Sequence, residues 1–181
     1  MRMGEDKGRI GYYGKPQAAH LHELVLQCCE RAFVSVGARH ADSDSFLSLP
    51  LIRDEQFGQG PASALLAAAR HDPKAAWLVV AVDLVLLDAA TIAALVAGRN
   101  AAAAATAFRH ADGTIEPLCA IWEPAACAAL GERVAAGDAS PRRCLESLGV
   151  EILACPRPEA LRSIDSPADR DAVRRQLLRG R

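Results

Sequence analysis

The sequence predicts an α/β domain with a mostly parallel sheet and helices on both faces, and three observations carry that prediction. Apolar runs of strand length alternate with helix-length segments along the whole chain, the pattern that places crossover helices between parallel strands. Trp77–Val82 is an unbroken apolar run, as expected of a strand covered on both faces. Helix-starting residues stand where that alternation needs them, at Gly60-Pro61, Asp88, Ser140-Pro141 and Ser166-Pro167.

Taken in order, Ala18–Cys29 reads as a helix and Ala32–Val36 as a strand. Leu47–Ile52 is a second short strand, and Ala62–Arg70 a helix that opens at Gly60-Pro61, where a proline's missing N–H costs nothing. After the strand Trp77–Val82, Asp88 caps a helix to about Ala97, with Gly98 expected as a left-handed C-terminal cap. Ala103–Phe108 and Pro117–Trp122 read as strands around Ala111-Asp112-Gly113, an Asp-Gly tight turn. Helices start at Pro124 and Pro141, a strand spans Val150–Ala154, and a last helix starts at Pro167 under Ser166, with Asp169 three residues on.

The chain has 181 residues, a length that fits one domain spanning 1–181. Its 21 basic and 22 acidic residues nearly cancel, leaving no bulk field for nucleic acid or anionic lipid. Any bound phosphate therefore needs a local site. No apolar run reaches the ~18 residues of a membrane span, and the start has no signal-peptide pattern. Six cysteines without C-x-x-C spacing read as buried thiols of a cytoplasmic protein.

Ligands of such sheets bind beyond the carboxyl ends of the strands. That rule selects three places. The first is Arg2-Met3-Gly4-Glu5-Asp6-Lys7, whose glycine and flanking cations suit a turn around a polyphosphate. An ordinary charged terminus has the same composition. The second is Asp54 through Gly60-Pro61, where glycines before a helix let the backbone approach a ligand, or simply make a turn. The third is Asp83, after the longest strand. An acid there is costly unless paired or metal-bound, and its oxygens suit Mg²⁺; a helix cap or a salt bridge would explain it as well. No nucleophile elbow, P-loop or zinc-protease motif is present. The arginines Arg174, Arg175, Arg179 and Arg181 sit at a helix C-terminus and read as structural.

Arg2-Met3-Gly4-x-Asp6-Lys7, Gly14-Lys15-Pro16, Asp54 ahead of Gly60-Pro61, Val-Ala-Val-Asp83 and Glu116-Pro117-Leu118-Cys119-Ala120 follow one another in an order that resembles the molybdenum cofactor guanylyltransferases of MobA type. Ser163-Ile164-Asp165-Ser166-Pro167-Ala168-Asp169 is similar to that family's closing Asn-x-Asn-Thr-Pro-Glu-Asp segment. The resemblance implies a Rossmann-like, doubly wound sheet of the GT-A nucleotidyltransferase type. It also implies transfer of GMP from GTP to the phosphate of molybdopterin, with release of pyrophosphate. By position, Lys7 and Asp83 would be catalytic, with Asp83 also holding Mg²⁺. Arg2, Gly4, Lys7, Asp54, Gly60, Pro61 and Asp83 would contact the nucleotide. GTP and molybdopterin would be the partners, with a molybdopterin-carrying protein as a further one.

Three departures accompany the resemblance. The family opens with a strand and a Leu-Ala-Gly-Gly loop, whereas this sequence starts at Met1-Arg2. The expectation is a truncated reading frame or a piece of a longer polypeptide, with two strands left unpaired where the first strand belongs. Val85 stands where proline is usual, and Ser163 and Asp165 where asparagines are usual. The added carboxylate of Asp165 should repel polyphosphate unless a metal or arginine intervenes. A cytidylyl or sugar-nucleotide transferase, or a non-catalytic domain that binds a nucleotide or a partner, are the alternatives.

Overall fold

The computed structural model describes residues 6–37, 48–54 and 60–179. Its elements alternate as the pattern requires: α1 (Gln17–Leu26), β1 (Val34–Gly37), β2 (Leu51–Asp54), α2 (Pro61–His71), β3 (Trp77–Val80) and α3 (Ala89–Ala97), then β4 (Ala105–Arg109), β5 (Ile115–Trp122), α4 (Pro124–Ala135), α5 (Pro141–Glu146), β6 (Val150–Ala154) and α6 (Pro167–Arg179). Leu47, the expected start of the second strand, lies outside the described residues.

Among the described residues, four strands form one sheet in the order β3-β5-β4-β6, and β1 and β2 pair in parallel as a second. In the larger sheet β5 is antiparallel to β3 and β4, while β6 is parallel to β4. Three of the four strands therefore share a direction, and their carboxyl ends lie at one edge. The reversed strand β5 follows β4 through the Asp-Gly turn, where Gly113 has φ +87° and Asp112 accepts a bond from the Thr114 N–H at 3.0 Å.

Apolar residues of both sheet faces are buried. One cluster joins Leu65, Leu130, Leu145 and Trp122, with Trp122 donating its indole N–H to the Pro117 carbonyl at 3.0 Å. A second joins Leu87, Ile92, Leu95 and Phe108, and a smaller one joins Val85, Leu86, Ile164 and Val173. Strand β3 departs from the expectation of complete burial: all four of its residues are only half-buried. It pairs with β5 along one edge, and among the described residues no strand pairs with its other edge.

The caps hold as local chemistry demands. Asp88 accepts from the Thr91 N–H at 2.8 Å and Ser140 from the Arg143 N–H at 3.3 Å. Ser166 accepts from the Asp169 N–H at 3.1 Å and donates its hydroxyl to the Asp169 carboxylate at 2.5 Å, so each residue holds the other. Gly98 corrects the sequence reading. Its φ is −86°, which is not left-handed. The glycine serves a close approach instead: a Cβ built there would lie 2.5 Å from Leu153 Cδ1. Gln17, at the start of α1, is fully buried, and neither of its amide atoms has a hydrogen-bond partner among the described residues.

Candidate active site

The chain start enters the site through a single 3-10 turn, Lys7–Arg9. Asp6 caps this turn by accepting the Gly8 N–H at 2.9 Å. The capped turn presents the Lys7 side chain to residues brought in from two distant parts of the chain. Its Nζ donates to Asp83 Oδ2 at 3.0 Å and to Asp165 Oδ1 at 2.6 Å.

Asp83 follows β3 and Asp165 follows β6, two strands of common direction. Both loops therefore leave the same edge, the one at which α/β sheets bind ligands. A main-chain bond locks them together, with the Ile164 N–H donating to the Asp83 carbonyl at 3.1 Å. A third tie comes from Tyr13, whose hydroxyl donates to the Val85 carbonyl at 2.8 Å. Val85, one of the three departures, is thus buried and usefully bonded through its backbone.

Side-chain exposure is 28% for Lys7, 23% for Asp83 and 57% for Asp165, so the cluster is open to a ligand without being fully hydrated. Burial pulls the Lys7 ammonium down, but the bonds to Asp165 and Asp83 outweigh it and hold its pKa above the ordinary lysine value. Lys7 is therefore a cation at any physiological pH. The pairing also answers why an acid stands at the end of β3: the carboxylate of Asp83 is compensated.

Mg²⁺ characteristically uses one or two carboxylates and completes its shell with water and phosphate oxygens. Asp83 and Asp165 supply two carboxylates, and the Lys7 ammonium already lies on both of them, marking a position where positive charge is favoured. These residues fit such an ion. Among the described residues no three His, Cys, Asp or Glu side chains converge, so nothing resembles a cage built from protein ligands alone.

Asp54, Gly60 and Pro61 form a separate group at the start of α2. Gly60 adopts φ +56°, a conformation only glycine takes without strain, and Pro61 occupies the first helical turn. Asp54 is 9% exposed and accepts the Ser63 hydroxyl at 2.5 Å; Ser63 also bonds the Gly60 carbonyl at 2.8 Å. The carboxylate thus braces the turn that opens α2. Arg2 and Gly4 lie outside the described residues, as do residues 55–59 of the loop before α2 and Arg181 of the tail. Arg174 stacks its guanidinium 5.8 Å from the Tyr12 ring centroid, in keeping with a structural role.

Sequence reasoning reached Lys7 and Asp83, which are 76 positions apart, and the structure brings them into contact. It noted Asp165 only as a disturbance. No spacing signal could have shown that this carboxylate, 158 positions from Lys7, would rest on that same cation. An open cleft of about 460 Å³ is lined by Tyr13, His20, Leu24, Leu87, Asp88 and Arg157 among others. Its cation is already spent, since Arg157 donates to both Asp88 and Glu159.

The chain is similar to several known proteins. The family model described as MobA-like NTP transferase domain matches residues 1–152. The chain is 28% identical over 169 residues to the molybdenum cofactor biosynthesis bifunctional protein of Synechocystis sp., covering 93% of this chain but 49%, about half, of that protein. It is 29% identical to the molybdenum cofactor guanylyltransferase of Pseudomonas fluorescens, over 84% of this chain and 76% of that one. In structure it is similar to molybdopterin-guanine dinucleotide biosynthesis protein A from Archaeoglobus fulgidus, with TM-score 0.79, 20% identity, and 98% and 93% of the two chains covered. That likeness shows the nucleotidyltransferase fold. The match of the family model over most of the chain settles the matter of kinship: this protein belongs to the MobA-like NTP transferase domain family.

Proposed function

We propose that this protein transfers GMP from GTP to the terminal phosphate of molybdopterin and releases pyrophosphate. The observation that carries the reading is the Lys7 ammonium held on Asp83 at the carboxyl end of β3. The resemblance of the chain to proteins named molybdenum cofactor guanylyltransferases supports the choice of base and acceptor.

In this reading the acceptor phosphate oxygen attacks the α-phosphorus of GTP. A P–O bond forms there as the bond to the β-phosphate oxygen breaks, and the electron pair leaves with pyrophosphate. No protein nucleophile is required, so the chain contributes position and charge. Lys7 turns from the carboxylates toward the triphosphate and stabilises the charge that grows on the leaving pyrophosphate. Asp83 would hold Mg²⁺, whose bound charge neutralises phosphate oxygens. Arg2, Gly4 and the Gly60-Pro61 turn, braced by Asp54, would line the nucleotide with backbone N–H groups and a guanidinium. We place this chemistry in a reducing, cytoplasmic setting, for which the six free cysteines are support. Among the described residues no helix is long and apolar enough to cross a membrane.

The test is calorimetric titration of the chain with GTP and with CTP, each with and without Mg²⁺. The expected result is Mg²⁺-dependent binding that prefers GTP. Preference for CTP would move the assignment to cytidylyl transfer, and a folded sample that binds neither nucleotide would overturn the reading.

A further inference from the structure

The face of α6 that packs beside the site carries charge the chemistry above does not use. Val173 of that helix is fully buried with Val85, Leu86 and Ile164, and Tyr12 packs against the same cluster. Arg170 and Arg174 stand four residues apart on α6, a spacing that shares one helix face, and they flank Val173 in the chain. The apolar anchor therefore holds both arginines at the rim of the cluster, next to Tyr12. Arg174 is exposed, its guanidinium carbon lies 5.8 Å from the Tyr12 ring centroid, and its Nη2 donates to the Gly11 carbonyl at 3.5 Å. Ring and carbonyl are neutral, so the contact that fixes the guanidinium leaves its charge to act outward. Both partners also belong to the short segment that follows Lys7, which ties the arginine to the lysine. Burial raises the pKa of the Tyr12 hydroxyl, while the charges of Arg174, Arg170 and Lys7 all reach it and pull the other way. The hydroxyl stays protonated at physiological pH, a donor within the field of three cations.

We propose that Arg174, supported by Arg170 and the Tyr12 hydroxyl, extends the seat that Lys7 begins and binds the two nucleotide phosphates that leave as pyrophosphate. Lys7 divides its charge between two carboxylates, and Arg170 lies 3.6 Å from Asp171. Arg174, held by neutral groups, brings charge to the phosphates with less of it spent on protein. Its planar fork suits two phosphate oxygens at once. Negative charge grows on the leaving phosphates as the bond to the α-phosphorus breaks, and a guanidinium at their far end stabilises that growth. This inference rests on the proposed seat of the triphosphate at Lys7.

The experiment is calorimetric titration of the chain and of its Arg174→Gln, Arg174→Lys and Tyr12→Phe variants with pyrophosphate, GTP and GMP in Mg²⁺ buffer, beside thermal melts. Loss of one charge-assisted contact should weaken pyrophosphate and GTP binding by Arg174→Gln roughly tenfold. GMP, which lacks the two leaving phosphates, should change by less than about twofold. Arg174→Lys keeps the charge without the fork and should recover part of the loss, and Tyr12→Phe should weaken pyrophosphate by about threefold. In steady-state assays Arg174→Gln should raise KM for GTP and leave KM for molybdopterin unchanged. Wild-type affinity for pyrophosphate in Arg174→Gln, or equal losses of pyrophosphate and GMP, overturns the inference while leaving the proposed site standing. A rise confined to KM for molybdopterin also overturns it, by moving the arginine to the acceptor. A wild type that prefers CTP overturns the reading as GMP transfer, and the comparison of pyrophosphate affinities still decides the role of Arg174. A folded wild type that binds neither pyrophosphate nor GTP overturns both.

Discussion

Replacing Asp83 by asparagine separates what this residue does for the fold from what it does for chemistry. The side chain keeps its size, and only the charge is lost. In the folded protein, Lys7 would still have Asp165 at 2.6 Å, so no cation is stranded. Asp83 is 23% exposed and Lys7 28%, and ion pairs this accessible are worth ~0.2–1 kcal/mol. The stability loss should therefore stay within about 1 kcal/mol, seen as a small shift of the urea midpoint at unchanged slope. The catalytic loss should be far larger. Removing one preorganised electrostatic contributor at a reacting phosphate costs ~10²–10³-fold in turnover, about 2.7–4 kcal/mol. The assay is pyrophosphate release from GTP with molybdopterin as acceptor, run beside the denaturation series. Activity within about threefold of wild type would refute the placement of Asp83 at the phosphates. A destabilisation above about 3 kcal/mol would show instead that the residue is chiefly structural.

Three further outcomes follow from the packing and the charges. Gln17→Leu should raise the unfolding free energy by ~1–3 kcal/mol, because the buried amide has no partner and leucine is close to it in size; urea denaturation checks this, and a less stable variant would refute it. Gly98→Ala should destabilise by ~0.5–1.5 kcal/mol, because the flexible end of Leu153 must leave its rotamer to admit the methyl, while φ −86° suits alanine as well as glycine. Adding Leu153→Ala should recover part of that loss in a double-mutant cycle, whereas purely additive losses would point to the backbone instead. The raised pKa of Lys7 fixes the sign of its pH dependence: its contribution is complete below the unfolded value of 10.5 and fades as pH climbs through the higher folded value. The stability difference between wild type and Lys7→Met should thus stay level from about pH 7 to 10 and shrink only above that; a difference already shrinking near neutrality would refute the pairing.

Much of this fold was legible before any coordinates. Asp88, Ser140 and Ser166 cap the helices they precede, and Gly113 turns the β4–β5 hairpin, because these choices depend on a few adjacent backbone groups. The order of short motifs from Arg2-Met3-Gly4 to the Ser163–Asp169 segment was also enough to suggest the family that the family model then showed. Local rules failed where the reason for a residue lay elsewhere in space. Gly98 looked like a left-handed cap, and it is instead the seat of Leu153, which arrives from β6. Trp77–Val82 looked like a strand buried on both faces; the strand ends at Val80 and stays half-exposed, because burial depends on which neighbours the sheet supplies.

The candidate site divides along the same line. Residue type and position beside a strand end already marked Lys7 and Asp83 as a cation and a hard oxygen ligand. That Asp165 joins them is a consequence of sheet order. Strands β3 and β6 run in the same direction, so their loops meet at one edge, and a main-chain bond from Ile164 fastens them there. Electrostatic energy depends on distance in space and is indifferent to distance along the chain. A carboxylate that a linear reading could treat only as a repulsive intrusion becomes, at 2.6 Å from an ammonium, a partner in the charge balance of the site.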